Sequence, residues 1–146
     1  MSEGQLWSTM RQQMGAGKCW REATRHEDAL QKGIADVSYI SMLGQHGWIE
    51  LKQVNEWPKR ESTILRIDHY SDDQRMWLKR KGKSGAFTWL FLKVHRDYML
   101  FDWLSAQHVG TMPKKQLMGA AYGLWQGRMD WDELGEKLCR ETRYLP

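Results

Sequence analysis

The sequence predicts an α/β or α+β fold in one domain, with helices packed on a sheet. Four short segments have the β-branched and aromatic composition that is typical of strands. Segments with capping residues and few helix breakers come before, between and after these strands. At 146 residues the chain has the length of one domain, and no linker or internal repeat divides it.

The composition favours a folded protein, and its charge is compatible with binding to a polyanionic partner. The chain is 41% apolar with three prolines, and its formal net charge is +4. No apolar run approaches the roughly 20 residues that cross a bilayer, so we expect no membrane association. Cys19 and Cys139 stand outside any CxxC motif or metal-ligand spacing, which indicates a reducing, cytoplasmic setting (the host cytoplasm if a phage encodes the chain). Whether they pair with each other stays open.

Two helices are predicted before the first strand. Residues 2–14 begin with a capping box of Ser2 and Gln5, which favours a first helix. Residues 18–32 are strongly charged and helix-like, and they stop at Gly33. We therefore expect two helices at the start of the chain.

The pattern then changes to that of two adjacent strands. Residues 36–40 (DVSYI) are β-branched and aromatic, and residues 47–54 (GWIELKQV) alternate between apolar and polar side chains. The short, glycine-containing segment MLGQHG between them predicts an antiparallel hairpin. Residues 55–70 are polar, contain Pro58 and have no period, which is typical of a loop.

A helix and two further strands follow. Ser71 and the acidic residues after it have the features of a helix N-terminus, where negative charge suits the helix dipole. Residues 87–94 (FTWLFLKV) have the strongest strand composition in the chain. Residues 98–102 should return as the antiparallel neighbour of that strand.

Helices are predicted for the C-terminal part of the chain. Residues 113–124 and 131–139 are both helix-like, and Asp130 is a suitable cap for the second. The predicted order is α-β-β-α-β-β followed by C-terminal helices. We expect one domain over residues 1–146, with a core at about 20–109 and the helices in 110–146.

The candidate chemistry lies on the first two strands. Residues i and i+2 of a strand point to the same face, so Glu50 and Lys52 emerge together and face Asp36 across the hairpin. Carboxylate oxygens suit Mg²⁺ or Mn²⁺, and such an ion with a nearby lysine is equipped to hydrolyse a phosphodiester. An E-x-K pair alone is more often a solvated pair on a strand. The joint spacing D-x13-E-x-K across a hairpin, with Glu27 in the charged segment before it, is more specific.

These residues resemble a known superfamily. The segments GIADVSYI, GWIELK and SDDQRMWLKRKG are similar to the PD-(D/E)XK nucleases, and among them to small phage and VRR-type members that resemble Holliday junction resolvases. The resemblance covers roughly residues 25–102. It implies a restriction-endonuclease-like domain with a central mixed four-stranded sheet. Ala35 departs from the motif, which prefers a proline there to shape the turn.

The resemblance also implies roles for individual residues. It makes Asp36 and Glu50 ligands of Mg²⁺, for which Mn²⁺ substitutes, and it makes Lys52 the catalytic lysine. It makes Gln74 the glutamine that a helix contributes to the active site. It makes Glu27 the upstream helical glutamate that completes the metal site.

Two of these assignments have alternatives. Ser71 and Gln74 form S-x-x-Q, and a capping box alone would account for that glutamine. Glu22 and Asp28 compete with Glu27 as the upstream acid.

A basic run follows the predicted glutamine. A solvated helix end accounts for such a run equally well. If the active site is granted, the run would contact the DNA backbone, which gives affinity without sequence choice. The candidate DNA contacts are Arg25, His26, Arg75, Lys79, Arg80, Lys81 and Lys83.

The sequence thus favours a metal-dependent DNA endonuclease in recombination, repair or replication. The resemblance favours branched DNA and a homodimer, while a flap or nicking nuclease stays open. A non-catalytic DNA-binding accessory protein is the alternative, although it would be expected to have a broken site. A third interpretation, a protein-interaction module, would need an exposed patch of Trp125 and Trp131, whereas both are expected in the core.

Overall fold

The computed structural model describes residues 2–15, 17–27 and 33–139. They form one six-stranded sheet with helices on both faces. In chain order the elements are α1 (Glu3–Met14), β1 (Trp20–Arg25), β2 (Val37–Ser41), β3 (His46–Val54), α2 (Asp72–Lys83), β4 (Phe87–Val94), β5 (Asp97–Asp102), α3 (Trp103–Ala106), α4 (Lys114–Ala120), β6 (Gly123–Gln126) and α5 (Trp131–Leu138).

The strands lie in the sheet in the order in which they occur along the chain. Neighbours pair antiparallel except β3 and β4, which are parallel and pair Glu50 with Leu90. Parallel neighbours need a crossover connection, and α2 lies in that connection. The sheet is therefore mixed, and α2 packs on the face of β3 and β4 that it crosses.

Two apolar layers cover the sheet. One lies between the sheet and helices α1 and α5, and Ile49 and Leu51 of β3 point into it. The other lies against α2, α3 and α4 and includes Trp77, Leu90 and Phe101. Since alternate residues of a strand face opposite ways, Trp48, Glu50 and Lys52 point toward the α2 side.

The capping residues predicted from the sequence are confirmed. Ser2 and Gln5 form a capping box at α1, and Ser71 and Gln74 form one at α2. Asp130 caps α5 by accepting a hydrogen bond from the Glu133 N–H. Each cap satisfies backbone N–H groups that the helix itself leaves without partners. The antiparallel strands over β2 and β3 and over β4 and β5 are also confirmed.

The predicted helix over 18–32 is wrong where the structure describes it. Residues Trp20–Arg25 form β1, an edge strand paired with β2, and residues 28–32 lie outside the described part. Cys19 and Trp20 are buried in the α1/α5 layer, while the charged side chains at 21, 22 and 25 are exposed. Charged residues are common on edge strands, where they prevent pairing with other chains. Pairing with β2 outweighs the local helical preference here.

The predicted four-stranded sheet is likewise too small. Besides β1, the C-terminal region contributes β6, so residues 110–139 are not helical throughout. The predicted helix over 113–124 ends at Ala120, because Ala121 takes an extended conformation and Gly123–Gln126 pair with β5. The short helix α3 after Asp102 was not predicted. Within the ranges described, no helix has the length and apolarity that a membrane span requires.

Gly47 is required by the packing of a buried tyrosine, which gives a test of the fold. A Cβ at Gly47 would overlap the ring of Tyr39. That ring cannot move freely, because its hydroxyl donates to the Leu138 carbonyl and accepts from Trp89 Nε1, both at 2.9 Å. We expect Gly47→Ala to lower the free energy of unfolding by about 1–3 kcal/mol, the range for an overpacked core. Chemical denaturation measures it.

Gly119→Ala is the matched control for this substitution. Gly119 is exposed in α4, and a Cβ there would meet no atom within 4 Å. Since alanine favours helix over glycine, this change should stabilise the protein by up to about 1 kcal/mol. Equal effects of the two substitutions would contradict the packing described for Tyr39.

Candidate active site

The β2–β3 hairpin brings two acidic side chains together. Asp36 stands immediately before β2, and Val37 at the start of that strand pairs with Ile49 of β3. Asp36 Oδ2 accepts a hydrogen bond of 2.9 Å from the Leu51 N–H, which fixes the Asp36 carboxyl against β3. The Asp36 carboxyl lies close enough to that of Glu50 to raise the pKa of Glu50. The two carboxyl groups that the sequence analysis paired are therefore in contact.

Two donors complete the cluster around Glu50. Lys52 Nζ lies 3.3 Å from Glu50 Oε2, and both side chains are almost fully buried. Gln74 Nε2, from the first turn of α2, donates to the same oxygen at 3.4 Å. The structure thus brings Asp36, Glu50, Lys52 and Gln74 together on the α2 side of the sheet.

Burial controls the protonation of Glu50. Its side chain is 0% exposed. Burial raises the pKa of Glu50 well above its ordinary value, and the Asp36 carboxyl raises it further, whereas Lys52 opposes the rise. Without a metal ion, Glu50 therefore favours its neutral form more than an exposed glutamic acid does.

The donor set fits a divalent cation. Glu50 Oε1 is buried and has no hydrogen-bond partner in the structure. Mg²⁺ binds through one or two carboxylates and keeps several waters, so Asp36 and Glu50 suffice as protein ligands. Over the described ranges, three or more His, Cys, Asp or Glu side chains are nowhere grouped as a metal site. The acidic pair therefore offers a cation two carboxylate ligands, and among the described residues no third carboxylate stands beside them.

Gln74 forms the capping box and also contacts Glu50, so the two alternatives from the sequence are compatible. Its Oε1 accepts from the Ser71 N–H at 2.9 Å, and Ser71 Oγ accepts from the Gln74 N–H at 3.2 Å, which closes the capping box. Its Nε2 remains free to donate to Glu50. Gly33 brings the chain close to this helix end, because a Cβ at its positive φ of 79° would overlap the backbone of Asp73.

Glu27 does not join this cluster. It follows β1 rather than lying in a helix, and its carboxylate pairs with Arg25 Nε at 3.6 Å. That carboxylate is 75% exposed. Glu22, one of the competing acids, is exposed on β1, and Asp28 lies outside the described residues. The predicted metal-ligand role of Glu27 gains no support from these contacts.

Another carboxylate near this end of the sheet was not considered from the sequence. Glu3 Oε2 lies 2.7 Å from His69 Nε2 and ties the start of α1 to the segment before α2. Gly4, its neighbour, lies beside the guanidinium of Arg25, and Arg25 pairs with Val37 next to Asp36. The sequence signal was an acid in the first helical turn, which dipole stabilisation alone would account for.

The candidate DNA contacts divide into two groups. Arg75 is turned into the protein: its guanidinium donates to the carbonyls of Tyr70 and Val109 at 2.8 and 2.6 Å and stacks on the Tyr70 ring. It braces α2, and these contacts give no support to its predicted DNA contact. Lys79, Arg80 and Lys83 are exposed on α2.

The other candidate residues lie close to the active-site cluster. His26 follows β1, and its N–H donates to the Asp36 carbonyl at 2.7 Å. Lys81 is half-buried with Nζ 5.5 Å from the centre of the Trp77 ring. Arg25 is partly exposed beside Glu27.

Trp125 and Trp131 do not form the exposed patch that a protein-interaction module would need. Trp125 is buried, and Trp131 packs against the same apolar layer.

Cys19 and Cys139 are free thiols; Cys139 Sγ lies 3.8 Å from the Cys19 carbonyl. Burial raises the pKa of the Cys19 thiol, and nearby Asp132 raises it further.

The fold of this chain has known relatives among solved structures. No protein-family model matches this chain, and no curated protein matches it. Among solved structures, the chain is similar to Hjc, a Holliday junction resolvase from the archaeal hyperthermophile Archaeoglobus fulgidus. The identity is 18%, the TM-score is 0.49, and the match covers 70% of this chain and 78% of that one. The roles proposed below rest on the contacts of this chain.

The raised pKa of Glu50 predicts a pH-dependent stability difference. As the pH rises above about 4.3, the value of an ordinary glutamic acid, the unfolded chain loses a proton that the folded protein keeps. Wild-type stability therefore falls until the pH passes the folded pKa of Glu50. Glu50→Gln does not titrate, so its stability relative to wild type should increase with pH in EDTA.

Urea unfolding at several pH values between 4.5 and about 8 measures this difference. Glu61→Gln makes the same chemical change at an exposed position and serves as the control. A difference between Glu50→Gln and wild type that stays constant or shrinks as the pH rises would contradict the described burial.

Proposed function

We propose that the chain is a metal-dependent DNA endonuclease that hydrolyses phosphodiester bonds. The observation that carries the proposal is the position of the half-buried Asp36 carboxyl beside the buried Glu50, next to the ammonium of Lys52. A structural ion pair would need only one acid and one base. This site has a second carboxyl, that of Asp36, and Glu50 Oε1 has no hydrogen-bond partner. Both features lower stability, and both are expected where a cation and a phosphate bind.

Each residue of the cluster has a distinct role in this proposal. Asp36 and Glu50 would hold Mg²⁺, or Mn²⁺ in its place. Lys52 Nζ stands beside the Glu50 carboxylate, where its charge and N–H donors can hold a phosphate oxygen or orient the attacking water. Gln74 fixes the direction of Glu50, and the capping box fixes Gln74 in turn. The cation supplies positive charge opposite the phosphate oxygens and acidifies water at neutral pH.

The basic residues of α2 support DNA as the substrate. The helix that carries Gln74 also exposes Lys79, Arg80 and Lys83. They lie beyond the first turn, which keeps their charge out of the buried cluster. Contacts of this kind reach the phosphate backbone, so they give affinity without sequence preference.

The resemblance described from the sequence extends the proposal to branched DNA and to a homodimer. Holliday junctions have two scissile strands related by approximate two-fold symmetry, and a dimer with two active sites would fit that substrate. A flap or nicking nuclease would use the same chemistry on a different DNA structure, so the substrate panel below is designed to separate them.

Substitution of the acids should remove cleavage without removing the fold. We expect Asp36→Asn and Glu50→Gln to abolish cutting in Mg²⁺, because each removes a charged ligand oxygen. Lys52→Met keeps the apolar stem and should slow cleavage by about 10²–10³-fold, the usual cost of removing one donor that stabilises transition-state charge. The measurement is cleavage of labelled duplex, single strand, flap, three-way and four-way junction DNA, each in Mg²⁺ and in EDTA.

Matched controls separate this effect from general damage. Asp68→Asn and Glu61→Gln make the same changes at exposed acids and should cut like wild type. DNA binding in EDTA should persist in every variant. Binding by wild type without cleavage of any DNA would favour the non-catalytic accessory protein, and undiminished cutting by both acid variants would rule out the assigned site.

A further inference from the structure

A group of aromatic rings lies next to the acidic pair on the same face of β3. The Trp48 cluster consists of His26, His46, Trp48 and Trp77, with Lys81 over the last ring. Trp48 stands two residues before Glu50, so their Cα atoms are separated by about 7 Å along the strand. The cluster is therefore adjacent to the position that a scissile phosphate would occupy.

Three elements supply the rings around Trp48. The His26 ring, after β1, lies 5.2 Å from the indole, and the His46 ring of β3 lies 5.4 Å from it, both tilted by about 40°. Trp77 of α2 meets the indole edge-on at 4.9 Å. His26 is held in place because its Nε2 lies 2.7 Å from Ser38 Oγ. The Trp48 indole is thus held by rings from the end of β1, from its own strand and from α2.

The cluster is only partly a core feature. Trp77 is buried, but Trp48 and His26 are half-buried and His46 is exposed. Residues of β3 that serve packing alone, Ile49 and Leu51, are aliphatic and fully enclosed on the other face. An indole with two imidazoles and a lysine beside it offers ring faces and positive charge at a surface. That combination is typical of proteins that stack nucleic-acid bases.

We propose that the Trp48 cluster is a subsite for an unpaired base next to the scissile phosphate. This inference rests on the proposed nuclease function and specifies its substrate. Bases in a duplex are enclosed by their neighbours, so only a nucleotide at a gap, branch or single-stranded segment presents its face to Trp48 and His46. Stacking is largely independent of base identity, since every base has a π-face. The subsite would select DNA structure rather than sequence.

The test compares three labelled DNAs of one sequence, bound by the full chain in EDTA so that nothing is cut. One is fully paired, one has a central unpaired stretch, and one has the same stretch with abasic residues that keep the phosphates. Wild type should bind the unpaired DNA at least about fivefold more tightly than the abasic DNA, the lower end of the stacking range per base. His46→Ala and Trp48→Leu should reduce this preference toward one, with little change for the duplex.

His108→Ala is the control, because His108 is an exposed histidine on the connection after α3. It should keep the preference. Equal binding of unpaired and abasic DNA by wild type would overturn the subsite. An equal loss of affinity for all three DNAs in the variants would also overturn it, because such a loss indicates contacts with phosphate alone. If Trp48→Leu does not melt cooperatively, the exposed His46 decides the result through His46→Ala.

The outcome is independent of the cleavage panel. Base preference without cleavage would contradict the nuclease proposal but keep the subsite. Cleavage without base preference would keep the nuclease and remove the subsite.

Discussion

The burial of the Glu50 carboxyl beside that of Asp36 is the constraint on which the site depends. Burying Glu50 beside Asp36 is unfavourable, since burial and the neighbouring carboxyl both raise the pKa of Glu50. The fold surrounds the pair with N–H donors: the Leu51 backbone, Lys52 Nζ and Gln74 Nε2. These donors come from β3 and from the first turn of α2, which the parallel β3–β4 crossover places over the strand. A protein that needed only stability would replace such a pair with apolar side chains, so the arrangement indicates chemistry.

The strands that the sequence revealed are those whose signals are local. β3 and β4 have strong composition or alternation. Short turns link β2 to β3 and β4 to β5, so neighbouring residues alone predict these two antiparallel pairs. The two edge strands have weaker local signals, because a strand at the edge is half-exposed and its pairing comes from the neighbouring strand. β1 is charged like a helix, and only the burial of Cys19 and Trp20 by α1 and α5 distinguishes it. β6 lies just after two alanines that favour helix, and its buried positions are Gly123 and Trp125 while the apolar Leu124 is exposed, so its four residues show no alternation of polarity.

The site residues likewise divide into those with local sequence signals and those placed by packing. Asp36, Glu50 and Lys52 could be brought together from the sequence, because one hairpin and the two-residue period of a strand fix their relation. Arg75 could not be placed, since its partners at Tyr70 and Val109 are set by the packing of a loop and of α3. The Trp48 cluster could not be predicted either, because its rings come from β3, from α2 and from the end of a strand that the sequence did not show.

The most direct test of the central claim is the binding of Mn²⁺ itself, followed by calorimetry or by the electron paramagnetic resonance of the free ion. If Asp36 and Glu50 share a divalent cation, wild type should bind Mn²⁺ saturably at neutral pH, and the affinity should fall steeply in Asp36→Asn and in Glu50→Gln. Release of protons on binding should accompany it, because the cation needs the ionised form of Glu50, whose pKa is raised by burial. Binding of equal affinity in wild type and in both variants would contradict the account.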